Sequence, residues 1–308
     1  MPLLSVIVPC YFNEENIPGT FLRLLQNESL FPEEVTIEYV FVDDGSKDNT
    51  LQTLLQLKQQ HPQKVKVVKL ASNVGSYNAI IAGMEYAAGD CYVIISADLQ
   101  DPPELMVRMY DYWKNGVKLI IGHREGREDP ALERVFSRMF HKIMQKIAFK
   151  TLPDGGFDYV LFDRRIREEV LKIKDPNSNV LYLMAWLGFD YVTIPYKREK
   201  REIGTSKWTL SKKIKLFLDS VLAFSFYPIR AISVTGLVLG IIAFLYGLFV
   251  LFAKATGRVD VEGWTALMVV LLFVSSFQMI ALGVIGEYVW RALDASRNRP
   301  LYIVDSVH

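Results

Sequence analysis

The stretch that decides the fold is Tyr92–Glu104, with the sequence YVIISADLQDPPE. Its apolar first part predicts a buried strand over Cys91–Ile95. Pro102 and Pro103 cannot continue a strand, and proline suits the first turn of a helix, which the sequence predicts from about Glu104 to Lys114. The polar residues between strand and helix therefore lie at the carboxyl end of a strand, where open α/β sheets bind ligands.

Two oxygen-bearing side chains in this loop, Asp98 and Gln100, are candidates for a metal site. They lie two residues apart, so an extended backbone can point both in the same direction. Hard oxygen ligands suit Mg²⁺ or Mn²⁺, which in turn hold phosphates. The alternative is an acidic turn that caps the following helix, and this stretch alone leaves both interpretations open.

Composition separates the chain into two parts. The 308 residues carry a net charge of +1, and the mean hydropathy is +0.17. The first part has the composition of a globular α/β protein, and the chain becomes strongly apolar beyond about Lys215. The near-zero net charge predicts no nucleic-acid partner. Cys10 and Cys91 each lie in an apolar run, which predicts buried free thiols and a reducing compartment.

Strands and helices alternate at short intervals in the first part. Apolar runs predict further strands at Leu3–Val8, Val35–Val42, Val65–Leu70, Leu119–Gly122 and Tyr191–Tyr196. Helical patterns and caps predict helices at Thr50–Gln60, Ser76–Ala88 and Leu181–Leu187. This alternation predicts a doubly wound, mostly parallel α/β sheet.

Polar residues follow each of the first four predicted strands: Asn13 and Glu14, Asp43 and Asp44, Asn73, and Asp98. A single Asp after a strand is more often a helix cap, but four such positions in register favour a ligand cleft at one edge of the sheet. The sequence has no G-x-G-x-x-G after its first strand and no G-x-x-x-x-G-K-[ST]. A dinucleotide or P-loop site is therefore not indicated.

Two apolar segments, Ala231–Ala253 and Trp264–Val289, are each long enough to cross a bilayer. The connection Lys254–Gly263 has mixed charge, whereas the flanks Lys197–Arg230 and Arg291–Arg299 are richer in Lys and Arg. The positive-inside rule then predicts a multi-pass protein with the large domain and the C-terminus in the cytoplasm. A buried helical pair in a soluble core is the alternative.

Two other segments are candidates for a membrane surface. The amphipathic segment Arg134–Lys150 either packs on the sheet or lies on the membrane. The basic run Lys197–Lys215 leads into a predicted interfacial helix, Lys212–Phe226. A phosphate-binding edge next to a membrane indicates a soluble phosphorylated donor and a lipid acceptor, and a nucleotide sugar with a polyprenyl phosphate fits that pair.

The same features predict four regions of the chain. They are a catalytic domain (1–206), a juxtamembrane amphipathic helix (207–230), two transmembrane helices (231–291) and a cytoplasmic tail (292–308).

Several motifs together resemble the family 2 glycosyltransferases. They are SVIVPCYFNEE (Ser5–Glu15), FVDDGSKDNT (Phe41–Thr50), ADLQDPPE (Ala97–Glu104), the strand at Asp158, and GEYVWR with NRPLYIV in Gly286–Val304. More narrowly, the chain resembles the polyprenyl-phosphate glycosyltransferases with two C-terminal spans, bacterial relatives of dolichol-phosphate mannose synthase. The resemblance covers nearly the whole chain. It implies a GT-A fold, a divalent metal, inverting transfer of one sugar, a homotetramer and the bacterial plasma (inner) membrane.

The resemblance also assigns roles to residues. It implies nucleotide contacts for Pro9, Tyr11, Glu14, Asp43, Asp44, Ser46, Asn73 and Ala97, with the nucleotide taken as uridine. It implies that Asp98 and Gln100 hold Mg²⁺ or Mn²⁺ on the diphosphate. Arg124, Arg138 and Lys207 would bind donor or acceptor phosphates, and Asp158 and Asp98 would be the catalytic carboxylates.

The acceptor chemistry limits what Asp158 has to do. A phosphate monoester is already ionised near neutral pH, so its oxygen is a nucleophile without a base. The barrier then falls mainly through alignment and through stabilisation of the departing diphosphate. We therefore expect Asp158 to position the acceptor or complete the metal shell rather than act as a strong base.

The chain departs from the family pattern at three places. Ser96 stands where the family often has the first Asp of D-A-D, Ser76 where relatives often have Lys, and Tyr159–Val160 where close relatives read F-R. Two other functions are alternatives. A processive polysaccharide synthase would need Q-x-x-R-W and more spans, whereas a non-catalytic scaffold that binds a nucleotide sugar would fit the missing groups at Ser96 and Ser76.

Overall fold

The computed structural model of the 308-residue chain describes residues 1–98, 100–124, 157–175, 178–199, 219–222, 225–256 and 263–308. These residues form two compact units. The sheet unit comprises residues 1–220 and 299–308, and the helical unit comprises residues 221–298. The helical unit is therefore inserted in the sequence of the sheet unit, which also contains the last ten residues.

An eight-stranded sheet forms the centre of the sheet unit, in the order β7-β5-β6-β4-β1-β2-β3-β8. In chain order the strands β1 to β8 span Leu3–Cys10, Thr36–Asp43, Val65–Leu70, Cys91–Ile94, Leu119–Arg124, Tyr159–Asp163, Tyr191–Tyr196 and Val304–Val307. The predicted strands are confirmed to within a few residues, as is the mostly parallel sheet. Two strands differ from the rest, because β6 runs antiparallel to β4 and β5, and β8 runs antiparallel to β3.

Helices α1 to α6 belong to the sheet unit. They span Ile17–Glu28, Thr50–Gln60, Ser76–Tyr86, Leu105–Lys114, Arg164–Lys172 and Val180–Trp186. Strand β1 is buried along most of its length because helices cover both faces of the sheet. Its apolar run is therefore continuous rather than alternating. Cys10 and Cys91 are buried free thiols, as the sequence predicts.

The helical unit consists mainly of two long helices, α7 (Tyr227–Ala255) and α8 (Trp264–Ser296). The apolar parts suited to a membrane are Tyr227–Val250 and Ala266–Ser296, with 24 and 31 residues. Their large apolar side chains are mostly exposed, unlike those of a buried soluble core. This exposure argues against the alternative of a helical pair in a soluble core.

Some predicted features lie outside the described residues. These are the amphipathic segment 134–150, most of the basic run 197–215 and most of the interfacial helix 212–226. Within that last segment, residues 219–222 are described and are helical.

Helix α3 packs unusually close to the sheet at Gly83. A Cβ at this position would lie 2.5 Å from Ile7 Cγ2 and 3.1 Å from Val42 Cγ2. Both neighbours are fully buried strand side chains and have little room to move.

We predict that Gly83→Ala lowers the free energy of unfolding by about 1–3 kcal/mol, because overpacking outweighs the gain in helix propensity. Thermal or denaturant unfolding of the purified protein measures this change. Gly240→Ala is the control, since a Cβ there would meet no atom within 4 Å. A Gly83→Ala protein as stable as the wild type would contradict the close packing.

Candidate functional site

Three loops meet at the carboxyl ends of β1, β2 and β3. We call them the three-loop rim, comprising Tyr11–Glu14, Asp43–Asn49 and Asn73–Gly75. The register pairs Cys10 with Asp43 across β1 and β2, so the first two loops leave the sheet side by side. The Asp44 N–H donates to the Cys10 carbonyl at 2.9 Å and extends this contact beyond the strands.

The first two loops of the rim bind each other through backbone N–H groups. Phe12 N–H donates to Ser46 Oγ at 3.1 Å, and Asn13 N–H donates to Thr50 Oγ1 at 2.9 Å. In the other direction, Asn49 N–H donates to Glu14 Oε2 at 2.7 Å. Glu14 therefore helps to cap the start of α2, in addition to its predicted contact with a nucleotide.

Asp44 ties the second loop of the rim to the third. Its carboxylate accepts from Val74 N–H at 2.7 Å, Gly75 N–H at 3.0 Å and Asn73 Nδ2 at 2.8 Å. Burial raises the pKa of Asp44 to about 6, although the two backbone donors favour its ionised form. The carboxylate thus holds the loop that begins α3.

Gly45 permits the close approach of these two loops. Its φ of +66° lies in the left-handed region, and a Cβ would stand 2.7 Å from Asn73 N and from Ser72 C. Both atoms belong to the backbone and cannot rotate away. The glycine of the VDDGS motif is therefore required by packing as well as by its backbone conformation.

Asp43 is fully buried, and the two oxygens of its carboxylate differ in their hydrogen bonding. Its Oδ1 accepts from Ser46 N–H at 3.1 Å, whereas its Oδ2 has no hydrogen-bond partner within the described part of the chain. Burial is the main cause that raises the pKa of Asp43. A buried acceptor without a donor is costly, so this oxygen suits an N–H or hydroxyl group of a ligand.

A second group of polar residues lies at the ends of β4, β5 and β7 and at the start of β6. We call it the acidic corner, and its members are Ser96, Asp98, Gln100, Asp101, Arg124, Asp158 and Tyr196. Helix α1 fixes the loop after β4, since Thr20 Oγ1 donates to the Ala97 carbonyl and Asn27 Nδ2 to the Pro103 carbonyl, each at 2.9 Å. Ala97 is buried, and its methyl side chain adds no polar group to the site.

Ser96 lies between two carboxylates of the corner. Its Oγ is 2.8 Å from Asp98 Oδ1 and 2.9 Å from Asp101 Oδ2. A hydroxyl has one proton, so it donates to one carboxylate at a time. The Tyr196 hydroxyl donates to the other oxygen of Asp101, Oδ1, at 2.7 Å. Burial and the negative charge of Asp101 raise the pKa of Tyr196, which therefore remains a donor.

The structure brings together Arg124 and Asp158, two residues that the sequence assigns to the site separately. They form an ion pair in which the Arg124 side chain is 14% exposed and the Asp158 side chain is 52% exposed. Burial disfavours the charge of Arg124, but Asp158 and Tyr196 outweigh that effect, and the pKa of Arg124 is raised. The guanidinium thus holds a half-exposed Asp158 at the surface of the sheet unit.

Gln100 is held by the segment that follows β7. Glu199 N–H donates to the Gln100 carbonyl at 2.8 Å, and Gln100 Nε2 donates to the Glu199 carbonyl at 3.4 Å. Arg23 fixes Glu199 in turn through two bonds of 2.6 and 2.7 Å to its carboxylate. Because Nε2 faces the Glu199 carbonyl, the amide oxygen of Gln100 points away from that carbonyl.

The corner fits a cation that shares its coordination with a phosphate. Among the described residues, no three His, Cys, Asp or Glu side chains come together as a metal cluster. Asp98 nevertheless supplies a carboxylate and Gln100 an amide oxygen. Mg²⁺ commonly uses one or two carboxylates and completes its shell with water and substrate phosphate. Asp98 and Gln100 suit that arrangement better than a closed, all-protein site.

Most of the sequence-assigned residues lie on this edge of the sheet. Pro9 and Tyr11 are at the end of β1 and just beyond it, and the other assigned nucleotide residues lie in the rim or, for Ala97, beside Asp98. Arg138 and Lys207 lie outside the described residues. Their roles, and those of the nucleotide residues, stay predictions.

Sequence reasoning gave no role to four residues that the site uses. Tyr196 ends a predicted strand, so the carboxyl-end rule that selected the other positions also applies to it. Asp101 lies in the loop after the predicted strand Cys91–Ile95, where the sequence predicts a ligand, but no motif assigns it a role of its own. Phe12, with a φ of +54°, and Arg23, on α1, give no sequence signal of their contacts.

Comparison with known proteins identifies the sheet unit. The family model described as "Glycosyl transferase family 2" matches residues 5–171. An uncharacterized glycosyltransferase of Synechocystis sp. is 34% identical over 99% of this chain and 95% of its own length. The SfII prophage-derived bactoprenol glucosyl transferase of Shigella flexneri is 31% identical over 99% of this chain and 98% of its own.

Solved structures resemble the chain less closely. A mannosyltransferase from Pyrobaculum calidifontis, in complex with GDP-Man and Mn²⁺, has a TM-score of 0.47 and 17% identity. The alignment covers 85% of this chain and 88% of that one.

We predict that Asp44→Ala lowers the free energy of unfolding by about 2–4 kcal/mol, because it removes the acceptor for three donors of the third loop. Asp48→Ala is the matched control in the same loop, since among the described residues Asp48 accepts only from Thr50 N–H, at 3.2 Å. We expect that control to cost about 1 kcal/mol or less. Denaturant unfolding measures both, and equal losses would contradict the anchoring role of Asp44.

Proposed function

The chain belongs to glycosyl transferase family 2, and we propose that it is a membrane-bound enzyme that transfers one sugar from a nucleotide sugar to a polyprenyl phosphate, with inversion. Undecaprenyl phosphate is the acceptor that we expect, and a uridine nucleotide is the donor. The product would be a lipid-linked sugar for modification of the cell envelope. The observation that carries the proposal is the union, on one sheet edge, of the three-loop rim and the acidic corner.

The three-loop rim suits the nucleoside part of the donor. The unpaired Oδ2 of Asp43 is buried and needs a donor group, which the base or ribose of a nucleotide supplies. The loops around it are fixed by Asp44, Glu14 and Ser46, so the rim is formed before the ligand arrives. A preformed rim loses little conformational entropy on binding. The choice of uridine rests on the family resemblance.

The acidic corner suits the diphosphate and the acceptor. We infer that Asp98 and Gln100 hold Mg²⁺ or Mn²⁺, which would neutralise the diphosphate as it departs. Asp158 lies at the surface of the cleft with Arg124 beside it, so it can orient the acceptor phosphate without being free to swing. Because the acceptor is already an anion, alignment contributes more here than proton removal.

The two apolar helices give the enzyme access to a lipid acceptor. The bactoprenol glucosyl transferase of Shigella flexneri aligns along nearly its whole length, including these helices. The helical unit leaves the sheet unit after residue 220 and returns at residue 299, and β8 then pairs with β3. Two spans would return the chain to the side on which it began. With the positive-inside rule, we place the sheet unit and the C-terminus in the cytoplasm, at the bacterial inner membrane.

We predict that the purified protein in detergent transfers radiolabelled sugar from one of a panel of nucleotide sugars to undecaprenyl phosphate, with Mn²⁺ present and not with EDTA. Asp98→Asn should lose most of this activity, because it removes the carboxylate that we propose as the main ligand of the cation. Asp90→Asn is the control, since Asp90 pairs with Arg164 and accepts from Leu3 N–H. Nucleotide binding without lipid labelling from any donor would favour a non-catalytic scaffold.

Asp158→Asn should lower kcat by about tenfold or more, because the neutral amide no longer pairs with Arg124 and loses its fixed orientation. Steady-state transfer assays measure the change. Glu34→Gln removes an exposed ion pair with Lys114 and should stay close to the wild type. Nearly full turnover by Asp158→Asn would exclude both a positioning role and a metal-shell role for this carboxylate.

A further inference from the structure

Asp101 is a buried carboxylate that has no place in the reaction described above. It is 1% exposed, yet both of its oxygens have partners. Tyr196 donates to Oδ1 at 2.7 Å and Ser96 to Oδ2 at 2.9 Å, and Arg198 Nε lies 3.5 Å from Oδ1. A charge buried this deeply is tolerated only where hydrogen bonds and an opposite charge compensate its lost hydration.

The partners of Asp101 distinguish it from a helix cap. A carboxylate that only capped α4 would accept from the first backbone N–H groups of that helix. The Leu105 and Met106 N–H groups instead donate to the Pro102 and Pro103 carbonyls at 3.1 and 3.0 Å. The oxygens of Asp101 instead accept from Ser96, in the same loop after β4, and from Tyr196, at the end of β7.

Each hydroxyl partner of Asp101 also contacts a reacting part of the site. Ser96 lies 2.8 Å from Asp98 Oδ1, on the side where the cation is proposed. Tyr196 interacts with Arg124, which pairs with Asp158. A continuous series of side chains therefore runs from one half of the acidic corner to the other: Asp98, Ser96, Asp101, Tyr196, Arg124 and Asp158.

We propose that Asp101 and Tyr196 are positioning residues, which couple the cation-binding carboxylate Asp98 to the Arg124–Asp158 pair. This inference rests on the proposed function. It adds that donor binding at Asp98 orders the Arg124–Asp158 pair, which is proposed to orient the acceptor phosphate.

The single proton of Ser96 gives the coupling its direction. Before the donor binds, this proton can go to Asp98 or to Asp101, since both oxygens lie within hydrogen-bond distance. An Asp98 that shares its oxygen with a cation is a poorer acceptor, so the Ser96 hydroxyl then donates to Asp101. That second donor fixes Asp101, and with it the hydroxyl of Tyr196 that faces Arg124.

Tyr196→Phe interrupts the series with the smallest change in packing, because phenylalanine lacks the hydroxyl and retains the ring. The ring itself packs edge-on against Tyr159 at 5.8 Å, and this contact is retained. Tyr39→Phe is the matched control. Tyr39 is also buried and its hydroxyl also donates to a carboxylate, Glu28 at 3.0 Å, but on the α1 side of the core.

The test compares Tyr196→Phe, Ser96→Ala, the double variant and Tyr39→Phe, all as full-length protein in detergent. Three quantities are measured: kcat and donor KM for sugar transfer, Mn²⁺ affinity by EPR in the presence of uridine diphosphate, and thermal stability. The Mn²⁺ measurement needs no turnover.

We expect Tyr196→Phe to lower kcat by about tenfold, the scale of one hydrogen bond to a charged group, with donor KM changed by less than about twofold. Ser96→Ala and Tyr196→Phe should each weaken Mn²⁺ binding several-fold, although Tyr196 contacts no proposed ligand of the cation. The double variant should lose no more kcat or Mn²⁺ affinity than the more impaired single variant, because both substitutions interrupt the same series of contacts. Tyr39→Phe should lose stability only.

Two results would overturn the coupling. One is a Tyr196→Phe protein that loses stability as Tyr39→Phe does and keeps wild-type kcat and Mn²⁺ affinity. The other is a double variant whose losses multiply, which would show two independent contacts. If the wild type transfers no sugar, the proposed function fails, and Mn²⁺ affinity alone decides the inference: weaker binding in Tyr196→Phe supports the series, and unchanged binding overturns it.

Discussion

The register of β1 against its two parallel neighbours is the constraint on which the site depends. It aligns Cys10 with Asp43 on one side, so the loops after β1 and β2 leave the sheet at the same level. On the other side it aligns Ile7 with Ile94, so β4 ends three residues before β1 does, at the same edge of the sheet. Side chains alternate along a strand, so a slip of one residue would turn Asp43 to the opposite face. The apolar residues on both faces of β1 prevent that slip, because each fills a buried position.

Loops gathered at one edge must satisfy their own polar groups before they can bind anything else. Asp44 and Glu14 show this requirement, because backbone N–H groups of neighbouring loops occupy oxygens of both carboxylates. Asp43 differs, since one of its oxygens is buried without a partner among the described residues. The same short motif therefore contains one carboxylate that holds the loops and one with an oxygen that accepts no hydrogen bond from the described residues. Sequence alone does not distinguish them, because they are adjacent and chemically identical.

The sequence predicts what depends on periodicity and misses what depends on pairing. Apolar runs located the strands, and the rule that ligands bind at carboxyl ends located Asp98 and Asp43. The antiparallel direction of β6 was not predicted, because direction is set by its partners β4 and β5 and leaves no local pattern. Strand β8 was assigned to a tail, since Val304–Val307 is short and becomes a strand only against the edge of β3. The sequence does not predict the contact of Asp101 with Tyr196 either, because the two residues lie 95 positions apart.

Electrostatics explains why the acidic corner would need a cation. Within the described residues, its carboxylates are Asp98, Asp101 and Asp158, and the guanidinium groups facing them are Arg124 and Arg198. Both arginines are engaged, because Arg124 pairs with Asp158 and Arg198 lies 3.5 Å from Asp101. A diphosphate and a lipid phosphate brought to such a corner would meet net repulsion. A divalent ion at Asp98, as proposed above, would reverse the sign of the charge next to the donor diphosphate. Serine rather than aspartate at position 96 also lowers the negative charge of the corner, since it supplies a proton to the carboxylates instead of adding another charge.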